Sequence, residues 1–339
     1  MGQNNLEEQE NVIVDDSYNI KEIEVDDSWR KDLYAEEGYA EYRRNWELAK
    51  NYHVFDVPPF LEVETSYACN YKCPFCPQVT LPEVPIGGLM KQPLIDKLFD
   101  EIARFKVPSV SLSHGGEPLI RKDIPQLMRR LKEGKVFDRM IHTNAFLLRK
   151  ELSEALILSG LTKINFSLDA ITPEIYDQIR IGGNYDRVIG NIMNFLEVKK
   201  RLGKSYPRTR VSFVVTETNK HQQKAFYEFW KDKVNVIAFQ QEYDFSGKNQ
   251  QAMVSKLKAA VDMKLKPCNL LWEHMMITHE GDITCNHDYN HDSALGNLKT
   301  HTIHECWNSP KMKMYRQLHQ SNRWCEIDMC KKCVTRIDK

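Results

Sequence analysis

The chain has 339 residues, 42% hydrophobic and 28% charged, with 47 basic residues against 47 acidic ones and a formal net charge of zero. That length is enough for about two domains with a large core, and the charge balance excludes a global electrostatic case for a nucleic-acid or anionic-membrane partner. No apolar run approaches the roughly 18 residues of a membrane helix, and the first residues lack a signal peptide's basic and apolar regions, so a soluble cytoplasmic protein is expected.

Met1-Gly2 does not begin a myristoylation motif, because Leu6 stands where Ser or Thr is wanted. Residues 1–57 form an expected N-terminal extension. Its tip is acid-rich (Glu7, Glu8, Glu10, Asp15, Asp16) and reads as poorly ordered. Around 34–52, Tyr39, Tyr42, Trp46 and Leu48 recur among charges, which predicts one or two helices packed on the main body. No strand-rich pattern is visible there. Val57-Pro58-Pro59 marks the boundary.

From Phe60 to about residue 250, short β-branched runs alternate with amphipathic stretches. Strands are expected at 60–65, 109–114, 139–143, 163–168, 210–215 and 234–240. Helices are expected at 94–105, 124–135, 150–158, 185–202 and 222–231. Six alternations argue an α/β fold, a partial (β/α)6 TIM-like barrel over 58–250. Barrel chemistry sits at the carboxyl ends of strands, and polar groups follow every expected strand here. In order they are the cysteines from Cys69, His114-Gly115-Gly116-Glu117-Pro118, Thr143-Asn144, Ser167-Leu168-Asp169, Thr216-Glu217-Thr218-Asn219 and Gln240-Gln241-Glu242-Tyr243.

The first of these rim segments is the most specific. Cys69-Asn70-Tyr71-Lys72-Cys73-Pro74-Phe75-Cys76 places three thiols in eight residues, spaced x3 then x2. Clustered thiolates are soft ligands suited to zinc or an iron–sulfur cluster. A closed structural site wants four ligands, so three leave a position open. The nine cysteines divide as three at 69–76 and six at 268–333, better read as metal ligands than as disulfides.

Cys-x3-Cys-x2-Cys with Phe75 before its last cysteine resembles the signature of the radical SAM superfamily. The resemblance implies a 4Fe–4S cluster on Cys69, Cys73 and Cys76, with S-adenosylmethionine on the fourth iron. It implies reductive cleavage to a 5′-deoxyadenosyl radical that takes hydrogen from a C–H bond, fed by a flavodoxin- or ferredoxin-like electron donor. It also implies a cosubstrate rim. Gly115 and Gly116 let backbone approach a ligand without a Cβ in the way, and Glu117 offers a carboxylate to the ammonium group of S-adenosylmethionine. Ser167 and Asp169 match a Ser-x-Asp pattern that bonds the ribose diol. Arg180 reads either as the arginine that reaches the cosubstrate carboxylate or as a solvated helix charge, and Asn144 is a further rim candidate.

Residues 251–339 break the alternation. Met276 to Cys285 reads as a hairpin about Glu280-Gly281, a helix begins near His301, and the chain closes on Cys325-x4-Cys330-x2-Cys333. Cys268, Cys285, Cys330 and Cys333 would complete one closed site. The order of these segments is similar to the SPASM/twitch extension of radical SAM enzymes, which implies an auxiliary 4Fe–4S cluster. A zinc ribbon is the rival on chemistry alone, although the x16 gap from Cys268 to Cys285 departs from its two close pairs.

Cys325 stays ambiguous, as an alternative ligand or as the thiol that returns hydrogen to a substrate radical. Cys306 reads as a buried helix residue. Histidines at 274, 279, 287, 291, 301 and 304 lack a tight i, i+4 pair with a carboxylate and read as hydrogen-bonded or solvated. Asp288 is a loose candidate for the substrate cavity. The expected enzyme abstracts hydrogen from a small-molecule or carbohydrate substrate, giving dehydrogenation or epimerisation. The alternatives are a maturase acting on a ribosomally made peptide and a non-catalytic metal-binding protein.

Overall fold

The computed structural model describes residues 12–15, 20–80, 87–242, 266–285 and 294–331. Its centre is a run of six parallel strands: β3 (Phe60–Val63), β4 (Ser109–Ser111), β5 (Asp138–Thr143), β6 (Lys163–Ser167), β7 (Arg208–Val215) and β8 (Val236–Gln241). Helices lie between them, so the expected partial (β/α)6 barrel is present, with strand ends within two residues of expectation except at β4, which ends three residues early. Residues alternate across each strand. Leu61, Val63, Ile141, Ile164, Phe166, Val211, Phe213, Ile237 and Phe239 join one apolar core with the helices. The opposite, concave face carries Glu62, Ser111, His142, Asn165 and Ser212.

The helices follow their patterns. Gln92–Phe105 has Pro in its first turn and buries Leu94, Ile95, Leu98, Phe99 and Ile102, a 3-4 spacing that makes one apolar stripe. Lys150–Leu158 falls where the sequence placed it. A helix at Pro173–Ile179, too short for a clear period, was not expected.

Among the described residues two additions, β1 (Val12–Asp15) with β2 (Ile20–Glu24) at one edge and β9 (His274–Ile277), β10 (Asp282–Thr284) and β11 (Gly296–Asn297) at the other, extend the sheet to eleven strands in the order β1-β2-β8-β7-β6-β5-β4-β3-β9-β10-β11. At the first edge, β1 and β2 form an antiparallel hairpin, and β2 pairs antiparallel with β8. This corrects the expectation of an extension without strands. Glu22 of β2 meets Arg208 and Arg210 of β7 at 2.9 and 2.8 Å.

Helices Arg30–Tyr34 and Tyr39–Lys50 then close the amino-terminal end of the barrel. There the hydroxyls of Tyr39 and Tyr42 donate to Asp138 at 3.1 and 2.7 Å, beside Lys163 at 2.6 Å. At the other edge, β9 pairs parallel with β3, followed by β10 and β11. The expected hairpin is β9–β10, turning at Gly281 with φ +94. Helices Ile303–Trp307 and Pro310–Gln320 pack behind it, and Cys306 is buried as expected.

Candidate metal centre and cosubstrate rim

The cysteine triplet occupies the loop after β3, ending in the short helix Pro77–Thr80. The Cys76 amide donates to the Cys73 carbonyl at 3.0 Å, and the Cys76 carbonyl accepts from Val79 and Thr80, which fixes a tight loop. Cys73 is buried, and Cys69 and Cys76 are half-buried. Burial pushes the Cys69 thiol up to about 11, and raises Cys73 and Cys76 as well. Thiolates in such surroundings need positive charge beside them. Among the described residues no three His, Cys, Asp or Glu side chains converge on one point as a single ion requires. A cubane spreads its thiolates one per iron and makes no such demand. Cys73 and Cys76 lie near enough to Cys69 to raise its thiol further, so three soft donors gathered in one loop suit a cluster on Cys69, Cys73 and Cys76.

Arg180 supplies that charge. It ends the helix Pro173–Ile179, is 9% exposed, and donates from Nη1 to Cys73 Sγ at 3.7 Å. Its Nη2 pairs with Asp169, and the guanidinium lies 5.5 Å over the Phe75 ring. Burial works against the charge, but Asp169 and Cys73 outweigh it and raise the guanidinium's pKa. Burial also lifts the Asp169 carboxyl against the pull of Arg180. We read the two as an ion pair, because bidentate-capable arginine beside a carboxylate in a dry site keeps both charges. The solvated reading of Arg180 is thereby set aside.

Asp169 follows β6 in the left-handed region, φ +65, with Oδ1 accepting from Val214 N at 2.7 Å. Asn219 braces it by donating to its carbonyl at 2.8 Å. Ser167, half-buried, ends β6 two residues earlier.

Glu117 is buried and held by three donors. Leu119 N and Thr143 Oγ1 reach Oε1 at 3.0 and 2.7 Å, and Asn144 N reaches Oε2 at 2.8 Å. Burial pushes its carboxyl up to about 6 against those donors. Its own N–H donates to Ala68 O at 2.9 Å, and Asn144 Nδ2 donates to Asn70 Oδ1 at 3.0 Å. The loops after β3, β4 and β5 are thus tied together at the cysteine triplet. Asn70 Nδ2, in the triplet itself, is a buried donor without a partner among the described residues.

Glycine explains how these loops close. A Cβ on Gly115 would come within 2.7 Å of Glu64 Oε1 and the Tyr67 ring, and one on Gly116 would fall on the carbonyls of Ser66 and Ala68. The expected reason for these glycines was room for a ligand; the structure shows the cysteine loop's own residues filling that room. Gly182 and Gly183 do the same from the other side. A Cβ on Gly182, φ +94, would meet Asn70 O at 2.9 Å, and one on Gly183 would meet the Tyr71 hydroxyl at 2.8 Å. Sequence reasoning passed over this pair, although a glycine pair two residues beyond Arg180 was a usable signal. It also passed over Tyr71 and Tyr176, whose hydroxyls meet at 3.0 Å.

Below the rim the concave wall is polar. Glu62 Oε2 lies 3.3 Å from both His114 Nδ1 and His274 Nε2. Ser111 and Ser113 hydroxyls meet at 2.9 Å, and Asn165 Nδ2 is 3.0 Å from His142 Nε2. His279 Nδ1 reaches Glu64 at 2.7 Å. His279 is hydrogen-bonded, as the sequence suggested, and His274 lies against the Glu62 carboxylate; the histidines at 287 and 291 lie outside the described residues, as do Asp288 and Tyr243.

In the C-terminal part, Cys285 and Cys330 are buried and Cys268 half-buried; Cys333 lies outside the described residues. His319 joins two of the described thiol residues, accepting from Cys268 N at 3.2 Å and lying 3.3 Å from Cys330 Sγ. The donor set, soft thiols on either side of His319 and beside Arg316, fits the auxiliary cluster. Cys325 sits half-buried in the turn Trp324–Glu326, between the exposed ion pair Arg323 and Glu326.

Two family descriptions match the chain: the radical SAM superfamily over residues 63–221 and a SPASM iron–sulfur cluster-binding domain over 268–334. A GTP 3′,8-cyclase of Limosilactobacillus fermentum is 36% identical over 135 residues, 39% of this chain and 40% of that protein. A probable GTP 3′,8-cyclase of Methanococcus maripaludis is 32% identical over 169 residues, 50% of this chain and 53% of that protein. The chain thus spans about half the length of the curated relatives it matches. Among solved structures, BtrN in complex with AdoMet and 2-DOIA superposes with a TM-score of 0.53 at 16% identity, over 82% of this chain and 93% of that one. Streptococcus suis SuiB bound to S-adenosylmethionine gives 0.56 at 19%, over 88% and 77%. These likenesses are of fold. Among the described residues no helix is long and apolar enough to cross a membrane.

Proposed function

The chain belongs to the radical SAM superfamily, carries a SPASM-type cluster domain and works with S-adenosylmethionine and 4Fe–4S clusters, and from that premise we propose that it abstracts hydrogen from a polar small molecule or carbohydrate. The observation that carries the substrate class is the concave wall: Glu62, His114 and His274, with Ser111, Ser113, His142 and Asn165 beside them, offer hydrogen bonds to a polyhydroxylated or amino-bearing ligand. When bound, the cluster and cosubstrate supply one-electron cleavage of a sulfonium and hydrogen abstraction from carbon.

The chain's own residues position these reactants. Cys69, Cys73 and Cys76 would hold the SAM-binding cluster, with Arg180 offsetting its negative charge beside Cys73. Glu117, ionised above about pH 6, would take the cosubstrate ammonium. Asn144, Ser167 and Asp169 would orient its ribose, with Gly115 and Gly116 shaping the loop. Cys268, Cys285, Cys330 and Cys333 would hold the auxiliary cluster. Dehydrogenation follows if that cluster takes the substrate's second electron, and epimerisation if Cys325 returns a hydrogen atom. A flavodoxin- or ferredoxin-like protein would deliver the first electron.

The test supplies anaerobically reconstituted protein with S-adenosylmethionine, a reductant and candidate sugars and aminocyclitols, and reads 5′-deoxyadenosine above the uncoupled background. GTP is one comparison arm, because the curated relatives carry that name over about half their length. A peptide library is another. Substrate-dependent product with peptide or GTP, and none with sugars, defeats the substrate class. The triple replacement of Cys69, Cys73 and Cys76 by Ala is the control and should give no 5′-deoxyadenosine at all.

A further inference from the structure

Helix Pro310–Gln320 turns one face toward Cys268 and Cys330, and two residues on that face, Arg316 and His319, stand one turn apart. Both are buried, at 5% and 1% exposure. His319 has a fixed orientation. The Cys268 amide N–H donates to its Nδ1 at 3.2 Å, so Nδ1 is the acceptor nitrogen. In the neutral ring the proton is then on Nε2, which points at Cys330 Sγ from 3.3 Å.

Arg316 is anchored by its other nitrogens. Nε donates to Leu271 O at 2.9 Å and Nη1 to Trp307 O at 3.3 Å, with the guanidinium 4.2 Å over the Trp307 ring. Nη2 is buried and has no hydrogen-bond partner among the described residues. An arginine guanidinium stays protonated in proteins, so it is a cation with one donor unused, and Cys285, a thiol that we assign as a cluster ligand, is near enough to favour that charge.

We propose that Arg316 and His319 are positioning residues for the auxiliary cluster, an N–H···S bond to Cys330 and a buried positive charge beside Cys285 that together raise its reduction potential. Reduction adds negative charge to a cluster that four thiolates have already made anionic. Donors to the sulfurs and a nearby cation stabilise the reduced state more than the oxidised one. The direction matches the proposed use of the cluster as acceptor of the substrate's electron. The inference rests on the assignment of Cys268, Cys285, Cys330 and Cys333 as ligands.

The experiment is an EPR-monitored potentiometric titration of the full-length, reconstituted protein, with iron counted for every sample. Arg316→Gln and His319→Leu should each retain about eight irons and move the auxiliary midpoint to more negative potential. Arg316→Lys and His319→Gln, which keep the charge and an N–H donor, should move it less. The SAM-binding cluster's midpoint should stay in place. In D2O the reduced auxiliary cluster should show an exchangeable deuteron coupling that is absent from His319→Leu. An unmoved midpoint at full iron content overturns the proposal. So does loss of about four irons in both conservative variants, which would make the two residues structural. Wild-type protein holding only about four irons would instead sink the ligand assignment itself.

Discussion

Arg180 and Glu117 show what the rim demands of single residues. Arg180 touches Asp169, Cys73 and the Phe75 ring at once, in a site buried from solvent. Removing one partner of a buried ion pair strands the other, at about 3–5 kcal/mol. Arg180→Met should lower the unfolding free energy by that amount, read as a lower urea midpoint at unchanged slope. Arg180→Lys keeps charge but loses the fork, and should cost less stability while weakening cosubstrate binding about tenfold, the worth of roughly one charge-assisted bond. A lysine variant that binds S-adenosylmethionine like the wild type would exclude Arg180 from the cosubstrate site.

Glu117 works in the opposite direction. Its folded pKa of about 6 lies above the ordinary 4.5. The stability linked to its proton is therefore full below about pH 4.5 and is lost as pH rises through 6, about 2 kcal/mol. The protein keeps a carboxylate at neutral pH against that cost. If the carboxylate binds the cosubstrate ammonium, affinity should fall as pH drops through about 6. Thr143→Val deletes the hydroxyl donor at 2.7 Å and should shift that limb to higher pH, read by equilibrium dialysis. A limb that stays in place argues that Glu117 serves only to tie loops together. Glu117 was legible in the sequence because it follows a strand end, and Arg180, at the end of a helix, only through the family resemblance. Their partners were not, since Asp169, Cys73 and Thr143 reach them from other loops.

At the scale of elements, the six strands and the β9–β10 hairpin were readable because apolar residues recur at period two between turn signals. The N-terminal hairpin was not. Ile20-Lys21-Glu22-Ile23-Glu24 carries charge on both faces, and that pattern reads as solvent-exposed chain. One of those charges goes inward: Glu22 lies against Arg208 and Arg210, and this long-range pairing is what makes the segment a strand. Burial would raise the Glu22 carboxyl, but Arg210 and Arg208 outweigh it and hold it at about 2. The stability this supplies is present above about pH 4.5 and is lost as pH falls through 2. Glu22→Gln should therefore lose about 3 kcal/mol at pH 7. In urea melts the gap between variant and wild type should hold from pH 8 to about 5 and narrow below. A gap that is absent at pH 7 would mean the hairpin is held by its backbone ladder with β8 alone.

At the scale of the whole molecule, the strands among the described residues form one continuous sheet, and this decides how far its two halves can be separated. β9 of the cluster domain is the neighbour of β3 in the ladder, pairing Leu61 with Met275 and Val63 with Ile277. The same seam carries Glu62 against His274 and Glu64 against His279. A chain stopped before residue 266 would leave β3 as an open apolar edge, a template for aggregation, with both carboxylates deprived of their histidines. It should be poorly soluble, or melt on the order of 10 °C or more below the full chain, several kcal/mol for a domain of this size. Replacing Cys268 and Cys285 with Ala removes iron but leaves β9 in register. That variant should stay soluble, hold about four irons and still cleave S-adenosylmethionine without coupling it to substrate. If the truncated chain is as stable as the double variant, the seam contributes nothing and the domains are merely tethered. If both fail alike, the cluster itself, more than the strand beside β3, holds the C-terminal half in place.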